Sequence, residues 1–420
     1  MEILSTGEKI KRARIFKGIT LKELCEDKIS IAKMSCIENG KIKADKELLK
    51  YIAEKIEVDL VYLIEDVYEQ ISNNLKLIKK NISCDNDSEN KLRDNLNYAI
   101  KYKYYDLAFE LIHMLFCYYV EENKVENIQL IVSQYYDLYQ RDNTEENTRI
   151  YFKDMARYLS QNGEYIEAIS YYSKLREMFE KKKEIVISEY CLISYNEALC
   201  YQNLKKLDEA YSILSEIIEY VDNLKTDESK GKIYHIYAAI CIKLKKDCVD
   251  KYKKKAFECQ KYNPILLALS HGNYGKYYFE VGKKENAIKE IEEGIKIFPR
   301  DNVEKNVEFL NYCTGILLDN SEYEIAYKII EESLNQAIIT NNIKLIEKSY
   351  YLKGIILQQM DRYTEAEKYM NLSLDSLFKF GTREERKNRY IDMGRLYYKL
   401  GSTTDSLKYF NLAFAVDKKI

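Results

Sequence analysis

The sequence predicts an all-α chain, with a small bundle of five short helices first and a long array of helical hairpins after it. Three observations predict this. Only two prolines (Pro264, Pro299) and 14 glycines occur in 420 residues, too few for the many turns of a β fold. Small residues recur at positions 168, 210, 287, 326, 366 and 406, at intervals of 42, 77, 39, 40 and 40, as in a repeated supersecondary unit. Capping residues (Ser, Thr, Asp) punctuate the first 66 residues at short intervals.

Within the head, Thr6 is placed to cap a first helix reaching about Lys17, with Ile10, Ala13 and Phe16 on its inner face, and Gly18 stops it. Thr20 caps a second helix from Leu21 to about Asp27, with Glu23 as the capping-box partner. Ser30 caps a third, Ile31 to Glu38, ended by Asn39-Gly40. Asp45 caps a fourth, with Leu48, Leu49, Ile52, Ala53 and Ile56 inward, and Asp59 opens a fifth with Leu60, Leu63 and Ile64. Residues 67–90 read as a linker helix with a stripe of Tyr68, Ile71, Leu75 and Ile78, and the polar run from Ser83 to Ser88 reads as a domain boundary.

Charge is uneven. Lys and Arg number 66 against 68 Asp and Glu. Residues 1–46 hold eleven basic and seven acidic residues, net +4, which leaves −6 for the rest. A basic head on an acidic body points to phosphate contact through the head alone. Hydrophobic residues make up 46% and charged residues 32%, which excludes a disordered polar chain. No run approaches about 18 apolar residues, so no membrane partner is expected. The start, Met1-Glu2-Ile3-Leu4-Ser5, lacks the pattern of a secretion signal. A cytoplasmic chain is therefore expected, with its ten cysteines as reduced core residues. None of them forms a C-x-x-C pair, and His113, His235 and His271 are far apart, so no metal site and no cofactor is expected. Nor is enzyme activity: there is no Gly-rich phosphate loop, G-x-S-x-G or H-E-x-x-H. Forty Tyr and no Trp imply interhelical seams filled by a ring that keeps one polar atom.

The second and third helices, joined by a short turn, form a helix-turn-helix. Gly7-Glu8-Lys9-Ile10-Lys11-x-x-Arg14, Gly18-Ile19-Thr20-x-x-Glu23-Leu24, Ser35-x-Ile37-Glu38-Asn39-Gly40-Lys41 and Leu49-x-x-Ile52-Ala53 resemble the phage-repressor-like (Xre/Cro) helix-turn-helix family over about 60 residues. The resemblance implies a double-stranded DNA partner. It puts Ile31, Ala32, Lys33, Ser35 and Cys36 toward base edges, and Thr20, Ser30, Asn39, Lys41 and Lys43 toward phosphates, with Lys11, Arg12 and Arg14 adding charge. Ile31 and Ala32 depart from the polar residues usual there; they can touch thymine methyls but cannot hydrogen-bond a base. One head reads few base pairs, so a homodimer on a two-fold site is expected.

The body repeats. The clearest unit is Gly163-Glu164-Tyr165-Ile166-Glu167-Ala168, echoed by Gly282-Lys283-Lys284-Glu285-Asn286-Ala287 and Arg362-Tyr363-Thr364-Glu365-Ala366. The interval of 77 holds a degenerate unit around Ile233–Cys259, and residues 91–149 read as one or two divergent units. The units resemble the tetratricopeptide repeat, with Gly275, Gly354 and Gly394 at the small first-helix position and Pro299 at the closing proline. That resemblance implies a right-handed superhelix over 91–420 whose concave face takes an extended peptide. Asp154, Asn196, Asn273, Asn311 and Asp392 recur at nearly one repeat position on first helices. An amide at such a place donates and accepts at once, as a peptide backbone requires, although bonds between neighbouring helices would use the same residues.

Head and repeats together, with Tyr195-Asn196-x-Ala198, resemble the RRNPP family of peptide-sensing regulators (PlcR-like and NprR-like). The resemblance implies a cytoplasmic, dimeric quorum-sensing transcription regulator (head 1–66, linker 67–90, repeats 91–420) controlled by a short signalling peptide. Two other functions stay open. In one, the repeats engage and inhibit or dephosphorylate a response regulator, with peptide as antagonist and Gln129 and Gln134 as candidates by position; in the other, the chain is a scaffold that binds no DNA.

Overall fold

The structure is a computed structural model that describes residues 3–81, 87–181 and 186–417. Most of the polar run 83–88, with Cys84, lies outside the described residues. The chain falls into two compact units, residues 1–181 and 182–420. The first contains α1 (Thr6–Phe16), α2 (Leu21–Cys25), α3 (Ile31–Glu38), α4 (Lys46–Lys55), α5 (Leu60–Ile64), α6 (Val67–Asn81), α7 (Ser88–Lys101), α8 (Tyr105–Glu121), α9 (Val125–Arg141), α10 (Glu145–Gln161) and α11 (Tyr165–Glu180). The second contains α12 (Ile187–Asn203), α13 (Leu207–Ile217), a 3₁₀ turn (Val221–Asn223), α14 (Asp227–Lys243), α15 (Val249–Gln260), α16 (Pro264–Glu280), α17 (Lys284–Ile297), α18 (Val303–Asp319), α19 (Tyr323–Thr340), α20 (Ile343–Gln359), α21 (Tyr363–Leu377), α22 (Arg383–Lys399) and α23 (Thr403–Asp417). The chain is all-α, and the described residues contain no strand.

The first five helices close around Ile10, Leu24, Met34, Ile37, Ile52, Ile56 and Leu63. The caps at Thr20, Ser30, Asp45 and Asp59 form as expected. The first cap does not: Ser5, not Thr6, closes a capping box with Glu8. Phe16 is 90% exposed and Ile64 38% exposed, because each is the last residue of its helix. Arg14 is not available to phosphate. Its Nε and Nη2 donate to the two oxygens of buried Glu38 at 2.6 and 3.0 Å, and Nη1 donates to the Ile19 carbonyl. Lys9 is buried as well, and its ammonium donates to the Tyr62 and Glu65 carbonyls that end α5.

Helix α6 buries Val67, Ile71, Leu75 and Ile78 against α7 and α8. Tyr68 is not part of that stripe; it faces outward and donates to Asp106 at 2.6 Å.

From residue 145 to 417 the described residues form seven helical hairpins, α10/α11 through α22/α23, and α8/α9 adds one before them. Each hairpin turns on a residue with positive φ: Asn123, Gly163, Lys205, Lys245, Gly282, Ser321, Asp361 and Gly401. That residue ends the first helix. In most hairpins the next N–H then reaches back five residues, as from Lys283 to the Tyr278 carbonyl at 2.9 Å. The small second-helix residues Ala168, Ala210, Ala287, Ala326 and Ala366 are fully buried, and Ser406 nearly so. At Gly275 a Cβ would lie 2.6 Å from Ile291 Cγ1 and 3.1 Å from the Ala287 carbonyl, so the helices of this pair approach as closely as glycine allows.

Candidate functional site

Two surfaces carry the residues singled out in the sequence. The first is one face of α3. Met34, Ile37 and Glu38 are buried in the bundle, which turns Ile31, Ala32 and Lys33 to solvent and leaves Ser35 and Cys36 half-buried at the edge. Around them Thr20, Ser30, Asn39, Lys41 and Lys43 are exposed. Several of these also serve the backbone. Thr20 Oγ1 accepts from the Glu23 N–H, Ser30 Oγ from the Lys33 N–H, and Asn39 donates to the Ser35 carbonyl at 2.8 Å.

The second is the row of first helices. Four of the five polar residues expected to face a peptide hold neighbouring helices together. Asp154 on α10 accepts from His113 of α8 at 2.6 Å and from the hydroxyl of Tyr135 on α9 at 2.7 Å. Asn273 on α16 accepts from the Tyr312 hydroxyl of α18 at 2.6 Å. Asn311 on α18 is buried; it donates to Ser349 of α20 at 3.1 Å and accepts from Ser333 of α19 at 2.9 Å. Asp392 on α22 accepts from the Tyr351 hydroxyl of α20 at 3.1 Å. The partners lie 38 to 41 residues apart, one repeat, so the bonds form rungs between first helices: α8 to α10, α16 to α18, α18 to α20 and α20 to α22. Asn196 on α12 differs: it is half-buried and makes no side-chain hydrogen bond among the described residues.

The α20–α22 rung is reinforced by charge. Arg389 pairs with buried Glu347 at 2.8 Å, and its guanidinium lies 3.5 Å from the centre of the Tyr351 ring. Burial pushes the Asp392 carboxyl above the ordinary carboxylate range, against the opposing pull of Tyr351 and Arg389. His235 on α14 has its Nδ1 unpartnered and its ring centre 4.8 Å from that of Tyr274. Burial lowers its pKa to about 4.

The expectation of no metal-ligating group rested on the distance between histidines. His113 needs no second histidine: Cys117 stands one turn along α8, and Asp154 arrives from the next first helix. Burial disfavours the imidazolium, but the hydrogen bond that His113 donates to Asp154 and the nearby thiol outweigh it and bring the pKa to about 10. The signal available in the sequence was the period itself, because residues one repeat apart on first helices become neighbours. His113 also lines a cleft of about 550 Å³ with Lys79, Phe109, Met114, Asn147 and Ile150. Gln129 and Gln134 are exposed on α9.

No helix among the described residues is long and apolar enough to cross a membrane. The tetratricopeptide repeat family matches residues 268–301 and 347–376. No curated protein matches the sequence. Among solved structures the fold is similar to the apo form of RapI, at 15% identity and a TM-score of 0.51, covering 83% of this chain and 98% of that one. It is also similar to the apo form of the quorum sensor NprR from B. thuringiensis, at 14% identity and a TM-score of 0.41, over 84% of this chain and 100% of that one. A Rap protein complexed with competence and sporulation factor matches at 14% identity and a TM-score of 0.43, over 84% and 98%. The chain carries tetratricopeptide repeats and shares the fold of RRNPP-family proteins such as RapI.

Proposed function

We propose that the chain is a cytoplasmic, dimeric DNA-binding regulator. In this reading a helix-turn-helix head (residues 1–66) and a linker helix (67–90) precede a repeat domain (91–420) that takes a short signalling peptide. The observation that carries the DNA reading is the outward face of α3, where Ile31, Ala32 and Lys33 stand clear of the bundle within residues 1–46, a segment of net charge +4. Ile31 and Ala32 offer methyl contact to thymine, and Lys33 and Ser35 offer polar contact. Thr20, Ser30, Asn39, Lys41 and Lys43 surround them with donors for phosphate. Cys36 packs at the edge of the same face.

The peptide reading rests on the first helices. Asn196 keeps both its donor and its acceptor uncommitted, which is what a peptide backbone requires. At Asp154, Asn273, Asn311 and Asp392 a peptide gains contact only by exchanging with a rung. That exchange couples occupancy to the spacing of neighbouring helices. A difference of about 1.4 kcal/mol in peptide affinity between two spacings shifts their ratio tenfold.

A gel shift of the full chain on its own upstream DNA, run across a salt series, tests the reading. Specific DNA should bind about 10³-fold or more above random DNA, and Lys33→Ala with Ser35→Ala should remove most of that margin. No margin over random DNA, with capture of a phosphorylated receiver domain instead, would favour response-regulator binding through a surface that includes Gln129 and Gln134.

A further inference from the structure

We propose that His113, Cys117 and Asp154 bind one divalent cation of the Zn²⁺ type, bridging α8 and α10. The ligand atoms of the three residues all lie within 4.8 Å of one another. Cys117 Sγ is 3.7 Å from His113 Nδ1 and 3.8 Å from Asp154 Oδ1. Tetrahedral coordination at about 2.3 Å for sulfur and about 2.0 Å for nitrogen and oxygen sets such pairs about 3.6 Å apart. The thiol therefore already stands at coordinating separation from both partners. His113 gives up one contact, its 2.6 Å bond to Asp154 Oδ2, and turns Nδ1 to the ion. Oδ2 stays anchored, because the buried Tyr135 hydroxyl donates to it at 2.7 Å and holds the carboxylate with Oδ1 free to ligate.

The ligand chemistry selects the ion. One sulfur, one imidazole nitrogen and one carboxylate oxygen suit a borderline cation such as Zn²⁺ rather than Mg²⁺ or Ca²⁺, which take oxygen donors. The alternative role, a nucleophilic thiol with its base and orienting acid, does not fit. Thiol and carboxylate both meet Nδ1, whereas a relay through imidazole uses both ring nitrogens. Three protein ligands leave a fourth position, and His113 lines the adjoining cleft, so that position is open to water or to a donor group entering the cleft. On binding, the thiol proton and the Nδ1 proton pass to solvent, and the ion replaces the His113–Asp154 bond as the link between the two helices.

Reduced full-length chain, equilibrated with Zn²⁺ and then dialysed against metal-free buffer, should retain about one ion per chain. Co²⁺ in its place should give a thiolate-to-cobalt charge-transfer band and the visible bands of a tetrahedral site. Cys117→Ser should abolish the band and the retained ion, while Cys248→Ser keeps both. In the unmutated chain, Zn²⁺ should slow alkylation of Cys117 at least tenfold relative to chelator, a readout independent of any variant's folding. Absence of retained metal, alkylation of Cys117 unaffected by Zn²⁺, or an unchanged cobalt band in Cys117→Ser would each overturn the proposal.

Discussion

The carboxamide oxygen of Asn273 on α16 accepts the hydroxyl proton of Tyr312 on α18 across 2.6 Å and one repeat of sequence. Two partly buried polar groups thereby satisfy each other, and each would be left exposed to desolvation cost by loss of the other. A double-mutant cycle with Asn273→Ala and Tyr312→Phe should give a coupling of about 1 kcal/mol by denaturant unfolding. Additive single effects would mean that the two residues act on stability separately.

Asn196 stands outside the rungs. Asn196→Ala should leave the melting temperature within about 2 °C, since a surface change away from partners costs about 0.5 kcal/mol or less. If the residue serves a peptide, the same variant should lower the affinity of that peptide, read by titration calorimetry. A large drop in melting temperature would instead assign Asn196 to the scaffold.

Gly275 and Gly315 both sit inside first helices, in opposite surroundings. A Cβ at Gly275 would strike Ile291 and approach a backbone carbonyl, whereas one at Gly315 would meet nothing within 4 Å. Gly275→Ala should destabilise by about 1–3 kcal/mol through overpacking, more than the helix propensity gained. Gly315→Ala should stabilise by about 0.5–1 kcal/mol. Thermal melts of the two variants would show shifts of opposite sign.

His235 makes the chain sensitive to acid. Its pKa in the folded chain is lowered to about 4 by burial, below the about 6.5 of an exposed imidazole. The unfolded chain therefore takes up a proton first as pH falls. The stability from keeping this ring neutral is present above about pH 6.5 and is lost progressively between about pH 6.5 and 4, to the extent of about 2–3 kcal/mol. His235→Gln should flatten that arm of the stability curve relative to the unmutated chain. Parallel curves for the two proteins would show that other groups govern it.

Much of the fold is legible in the sequence because a hairpin must repeat its tight contacts. Ala at 168, 210, 287, 326 and 366 marks the close approach of paired helices, and Gly163, Gly282 and Gly401 mark the left-handed turns. The α8/α9 hairpin is harder to read because Ile128 and Asn123 fill those two places. Side-chain pairing is less legible than backbone. Arg14 looks like a phosphate contact until Glu38, 24 residues on, is seen to occupy it. The recurring polar residues of the first helices were visible as a pattern, but one helix face can serve a guest or the next helix. Only three-dimensional spacing distinguishes Asn311, held by two serines, from Asn196.

Stacks of similar hairpins risk docking in the wrong order, since one apolar face resembles another. Here three successive seams each carry their own polar signature: amide with phenol between α16 and α18, amide with serine between α18 and α20, phenol with carboxylate between α20 and α22. A hairpin seated on the wrong neighbour would strand a desolvated hydroxyl or amide, at about 1–3 kcal/mol for each. The mismatched pairs thus act as keys that sort the hairpins into sequence while the shared apolar faces supply the adhesion.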